Sequence, residues 1–244
     1  QSQWSRQKNF ELGLEKKIYE ATIPNAPDPD TFNTKNKKPY NKDDTIKVVM
    51  TSWSKNFNKG FDTYEWLDKS LDFSMFDVEF IGNSPIEFKN IKHTAPLTSD
   101  KLANVLKEKD VFLTASINDP CSNSLIEAMH CGLPAITLNS GGHPEIINKV
   151  GLLFNEKEEI PEKLEYLKQN YSELKNNIEL PSMEDITNRY INFFEYILKN
   201  KDLKKQYKSK YYFRIYPITY LANNKYKKYK NLFRYIFQTI KNKL

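Results

Sequence analysis

The stretch Asp119–Glu145, DPCSNSLIEAMHCGLPAITLNSGGHPE, decides the fold. Just upstream, Val111–Ser116 (VFLTAS) is a short apolar run of residues that favour strands. Pro120 has no amide hydrogen to donate, and Ser122 and Asn123 are natural caps. A helix is therefore expected to start near Cys121 or Ser122. Leu125, Ile126 and Met129 then share one face, and Gly132 suits the left-handed position that stops a helix. A β-branched run follows, and Gly141–Gly142 turns the chain into a second helix. Asp119 and Glu127 stand eight residues apart across the start of the first helix. Unpaired amides at such a start carry roughly half a positive charge. A bare helix end with a carboxylate on either side suits a phosphorylated, hydroxyl-rich ligand. The amides take the phosphate and the carboxylates accept from hydroxyls. For either acid alone the plainer reading holds: Asp119 as a cap, Glu127 as a solvated surface carboxylate. The whole ordered string argues against it.

Outward from this stretch the chain alternates. Strands read at 46–50, 77–81, 110–115, 134–138 and 151–154, and helices at about 60–71, 99–108, 122–131, 143–149 and 158–174. Such alternation predicts an α/β fold, a doubly wound parallel sheet covered on both faces. Ligands of such sheets sit beyond the carboxyl ends of the strands. Asp119 is expected there, and so is Lys59, in the loop after the first strand and ahead of a helix marked by Phe61, Tyr64, Leu67 and Leu71. A last helix opens at Ser182, whose side chain can form a capping box with Asp185.

Residues 110–147 resemble the donor-site signature of the family 4 (group 1) retaining glycosyltransferases, which have the two-domain GT-B fold. That pattern is a strand, then E-x7-E, then EAMACGLPVV, then GGxPE. Asp119 to Glu127 keeps the acid spacing, EAMHCGLPAI (Glu127–Ile136) is close to identical, and SGGHPEII (Ser140–Ile147) matches the closing loop. The chain departs from the pattern in carrying Asp119 for the first Glu and PCSNS where the family is glycine-rich. Thr51–Asp68 resembles the family's first donor-side loop, and Lys59 matches the lysine before glycine that neutralises the diphosphate. Ser54 stands near the place of a frequent arginine, so a second cation is either missing or supplied from elsewhere.

The resemblance implies a sheet that is the Rossmann-like C-terminal half of a GT-B glycosyltransferase, and it implies roles. Glu127 would accept from the ribose of a nucleotide sugar. Asp119 would face the transferred sugar, where an oxocarbenium-like carbon favours a nearby carboxylate. Ser54, Lys59, Cys121 and the amides of Ser122, Asn123 and Ser124 would line the donor. Lys59 and the helix amides would stabilise the leaving diphosphate. Retention of configuration and no obligatory metal or other cofactor are further implications. Ile23–Phe32 (IPNAPDPDTF) resembles the family's interdomain linker. Residues 1–44 are therefore expected to be an acceptor-domain remnant plus linker, with Pro24, Pro27, Pro29 and Pro39 arguing against regular structure. Residues 45–180 would be the donor-binding domain and 181–200 a helix crossing back to the other domain. With that other domain largely missing, isolated transfer activity is expected to be poor unless a separate chain supplies it.

Charge is concentrated at one end. Residues 201–244 hold eleven Lys and two Arg against one Asp, interleaved with eight Tyr and three Phe, in a chain of 244 residues with net charge +6. Such a tail reads as a basic, partly helical, solvated extension. It is also a candidate for an anionic membrane surface, at about 1 kcal/mol per basic residue, or for nucleic acid. Two cysteines and no apolar run of the roughly 20 residues needed to span a bilayer suggest a cytoplasmic chain, with the inner face of the membrane as its candidate surface. His93, His130 and His143 are too scattered for a zinc site; His143 opens the helix after the Gly-Gly turn, in a loop that the resemblance places near the donor, although a plain loop histidine is the simpler reading. The glycosyltransferase reading, for surface polysaccharide or lipid-linked glycan synthesis, has two rivals. One is a related GT-B nucleotide-sugar epimerase; the other is a non-catalytic nucleotide-sugar-binding or interaction module.

Overall fold

The computed structural model describes residues 2–13, 19–148 and 150–200. The expectation of a basic helical tail falls on 201–244 and lies outside these residues. Six strands, β1 (Ile46–Ser52), β2 (Phe76–Gly82), β3 (Lys92–Thr94), β4 (Val111–Thr114), β5 (Ala135–Leu138) and β6 (Leu152–Phe154), form one sheet in the order β3-β2-β1-β4-β5-β6. Every pairing is parallel. The chain builds outward from β1 to β3 and then returns to lay β4 on the other side of β1. The strand order therefore reverses between β1 and β4, which opens a crevice beyond their carboxyl ends.

Side-chain alternation along the strands assigns the two faces. Val48 and Met50 of β1 and Val111 and Leu113 of β4 join a core with α2 (Phe61–Ser70) and α6 (Ile160–Gln169), through Phe61, Tyr64, Leu67, Leu164 and Leu167. Val49 and Phe112 point the other way. They pack against α3 (Ser99–Glu108), α4 (Asn123–His130) and α5 (His143–Ile147), through Leu102, Leu106, Leu125, Met129 and Ile147. Burial on both faces explains why these strands are uniformly apolar.

Three departures from the sequence expectations have local causes. β3 is an additional edge strand, too short and polar to show a period. The helix expected over 158–174 is two helices: α6 ends at Asn170, which bonds back to the carbonyls of Tyr166 and Leu167, and α7 (Tyr171–Asn176) follows. Residues 3–11, expected to lack regular structure, form α1 (Gln3–Glu11). Its first amides are taken by Ser2 and by the carboxylate of Glu145, which accepts from Gln3 at 2.7 Å and Trp4 at 2.6 Å. The proline-bearing segment that follows is irregular but anchored, with Ile23 and Phe32 buried. The last helix, α8 (Met183–Lys199), opens with the Ser182–Asp185 capping box. Among the described residues no helix is long and apolar enough to cross a membrane.

Candidate functional site

The loops that leave β1 and β4 are pressed together. Gly60 adopts φ +94°, and a Cβ there would lie 2.5–2.7 Å from atoms of Ala115, so only glycine fits without displacing backbone. Ile117 donates to the carbonyl of Asn58 at 2.7 Å, and Ala115 donates to the buried Tyr64 hydroxyl at 3.1 Å. This contact carries Lys59 to Asp119, with Nζ 2.9 Å from Oδ2. The Asp119 side chain is 11% exposed and that of Lys59 is 38% exposed. The other carboxylate oxygen of Asp119 accepts from the Cys121 amide at 3.2 Å.

The turn after β5 supports Asp119 from behind. Gly142 donates to the Asp119 carbonyl at 2.8 Å, and the Ser140 hydroxyl accepts from Asn118 at 2.9 Å. Gly141 adopts φ +63°, and a Cβ on it would sit 2.3 Å from the Asp119 carbonyl oxygen. Asn118, immediately before Asp119, is itself held at φ +55°. Non-glycine residues in that region gather where the surrounding structure dictates the backbone, and asparagine tolerates it better than most.

Helix α4 begins beside this pair. Ser122 is buried at the cap, yet its side chain makes no bond to the first helical amides and instead faces Ser124, Oγ to Oγ 3.3 Å. Asn123 is exposed, and its side-chain oxygen accepts from Asn25 of the proline-bearing segment at 2.7 Å. One turn further along, Glu127 lines a cavity of about 310 Å³ together with Pro24, Asn25, Asn123, Ile126, Ile186 and Tyr190. No hydrogen bond or ion pair within the described residues holds its carboxyl, and burial pushes its pKa up to about 7.

The structure therefore brings the expected site residues together in two groups. The Asp119 carboxylate meets Lys59 and the Cys121 amide, while Asn123 and Glu127 share a cavity. Ser122 and Ser124 lie between them at the start of α4. No direct bond joins Glu127 to the Lys59–Asp119 pair. Ser54 is exposed and engaged locally, its backbone with the Ser52 hydroxyl and its own hydroxyl with the Asn56 amide.

His143 corrects an expectation. It opens α5, as expected, but it is fully buried and not a plain loop residue, its Nδ1 3.0 Å from the Leu138 carbonyl. Asn25 and Asn118 were not legible as site residues either. Their partners are distant in sequence or conformational, and no motif marks them. Among the described residues, no three His, Cys, Asp or Glu side chains cluster as metal ligands.

Residues 88–180 match the family model described as glycosyl transferases group 1. The chain is similar to a human phosphatidylinositol N-acetylglucosaminyltransferase subunit, 26% identical over 188 residues, covering 71% of this chain and 38% of that protein. It is also similar to a probable sucrose-phosphate synthase of Thermosipho melanesiensis, 29% identical over 160 residues, covering 62% of this chain and 38% of that protein. The chain thus spans about two fifths of the length of these relatives. In fold it is similar to the sucrose-phosphate synthase of Thermosynechococcus elongatus (TM-score 0.61, 15% identity, 81% of this chain and 57% of that one). Anabaena HepE, solved in complex with UDP-glucose, is similar to the same degree (TM-score 0.64, 15% identity, 81% of this chain and 62% of that one). By sequence over residues 88–180, and by fold over the whole sheet, the chain is similar to the group 1 glycosyl transferases of the GT-B fold.

Proposed function

We propose that this chain is the donor-binding half of a retaining, family 4 glycosyltransferase that transfers a hexose-type sugar from a nucleotide sugar to a glycan or lipid-linked acceptor. The observation that carries the reading is the meeting of Lys59 and Asp119, at 2.9 Å, across the point where the strand order reverses. A cation and an acid from two different loops converge there on the open start of α4, the arrangement that a diphosphate with an attached sugar requires. In this reading Lys59 turns from Asp119 to the diphosphate and, with the amides of Ser122 to Ser124, stabilises the charge of the leaving group, with no obligatory metal ion. Asp119, released from its ion pair, faces the transferred sugar. Glu127, with no partner of its own, accepts from the ribose hydroxyls in the adjoining cavity. The acceptor comes with the other half of a two-domain enzyme, on the same or a separate polypeptide, and surface polysaccharide synthesis is the setting we infer. The work is done on the cytoplasmic side, with residues 201–244 against the membrane.

The test is thermal stabilisation of the chain by UDP-, GDP- and ADP-sugars. One sugar nucleotide is expected to raise the melting temperature, and Glu127→Ala to abolish the rise. No shift with any of them would count against donor binding altogether.

A further inference from the structure

The ring of His143 has one nitrogen accounted for and one not. Nδ1 lies 3.0 Å from the Leu138 carbonyl, which can only accept, so Nδ1 carries the proton in the neutral ring. Nε2 is buried with no hydrogen-bond partner. A buried lone pair without a donor is uncommon and calls for an explanation. The ring sits one residue beyond Gly142, whose amide is bonded to the Asp119 carbonyl, so backbone contact couples it to the site. The charges that act on the ring are those of Asp119, from the β4–α4 loop, and Lys59, from the β1–α2 loop. Glu145, on its own helix, has its carboxylate turned to the α1 amides. Burial favours the neutral ring, while Asp119 favours its protonation and Lys59 opposes it. In the ion-paired state the two charges offset each other.

A bound diphosphate removes that balance. Lys59 can satisfy Asp119 or the phosphates, and a doubly negative ligand takes it. We propose that His143 is the proton reserve of the donor site: when the diphosphate draws Lys59 away, Nε2 takes a proton from solvent and the imidazolium replaces Lys59 as the cation beside Asp119. The inference rests on the donor reading above and adds to it a positioning residue that keeps Asp119 paired and oriented while the lysine serves the leaving group.

Ring-nitrogen NMR of the chain, with 15N-labelled histidine, reads the proton directly. Nucleotide sugars carry no phosphate that titrates between pH 6 and 8, so UDP-glucose, GDP-mannose and ADP-glucose serve as probes. The free protein is expected to show His143 neutral at pH 7 with Nδ1 protonated, and the complex to show an imidazolium. His143→Asn keeps a donor for the Leu138 carbonyl but cannot take up a proton. Relative to the parent, its affinity for the same probe is expected to fall by about a further tenfold between pH 8 and pH 6. A probe that binds while His143 stays neutral overturns the inference and leaves the donor reading standing, and identical pH profiles for parent and variant do the same. If none of the three probes binds, both are overturned.

Discussion

Glu127 is held in the fold without a hydrogen-bond partner, and burial alone lifts its pKa to about 7 from an ordinary 4.5. A carboxyl raised in the folded state favours the fold most when protonated. Its contribution is therefore fully present below pH 4.5 and is lost as pH rises through 7. Glu127→Gln removes that dependence. The melting temperatures of variant and parent are expected to coincide near pH 4.5 and to separate by on the order of 3 °C in the variant's favour by pH 8. An ionised carboxylate accepts from hydroxyls more strongly than a protonated carboxyl, so donor affinity in the parent should drop about tenfold from pH 8 to pH 6 on account of Glu127. Titrating a nucleotide sugar at both pH values measures it. Lys59 behaves differently, because its ion pair is partly exposed and is worth at most about 1 kcal/mol. Lys59→Ala should leave the urea midpoint almost unchanged while weakening the donor at least about tenfold, the equivalent of one charge-assisted hydrogen bond. Equal donor affinity in variant and parent would remove Lys59 from the site.

At the scale of elements, the site is a consequence of how two loops touch. The β1–α2 loop reaches the β4–α4 loop only because Gly60 lets the backbone pass against Ala115. Gly60→Ala meets both a positive φ and a backbone clash, so it is expected to cost about 2 kcal/mol or more in a urea melt. A variant that also loses nucleotide-sugar binding would confirm that the contact sets the position of Lys59; one as stable as the parent would show that the loop relaxes freely. The edge strand β3 teaches the same lesson about range. The segment leading into it is held by the buried Asp68, which accepts from the amides of Lys89, Asn90 and Ile91 at 2.7–2.8 Å, twenty-odd residues along the chain. Its own three residues carry no strand signal.

Over the whole molecule, the distribution of apolar surface and charge sets what the chain can meet. Of α8 only Ile186 is buried, and Tyr190, Ile191, Phe194, Tyr196 and Leu198 are exposed. Immediately after it the sequence turns strongly basic, with the thirteen Lys and Arg of 201–244. If that segment meets anionic lipid, removing it should sharply lower co-sedimentation with vesicles containing phosphatidylserine or phosphatidylglycerol, and 0.5 M salt should have the same effect on the intact chain. Equal sedimentation of the full and shortened chains would exclude the membrane role.

The alternation of apolar strands and amphipathic helices was enough to fix the parallel sheet, because a covered strand and a half-covered helix have different periods whatever they pack against. The glycine that stops α4 was equally legible, since it depends on local spacing, whereas Asp119, Glu127 and Lys59 were singled out by the resemblance of their surroundings to a family motif. Packing over long distances in sequence decided the rest. It alone joined Lys59 to Asp119, set Asn25 against Asn123, left Glu127 without a partner in a cavity walled by the proline-bearing segment and α8, and buried His143 with one nitrogen unclaimed. A residue's type and neighbours state what it can bond; which groups come within 3 Å of it, and how much water remains, is settled only when the sheet and its loops close around it.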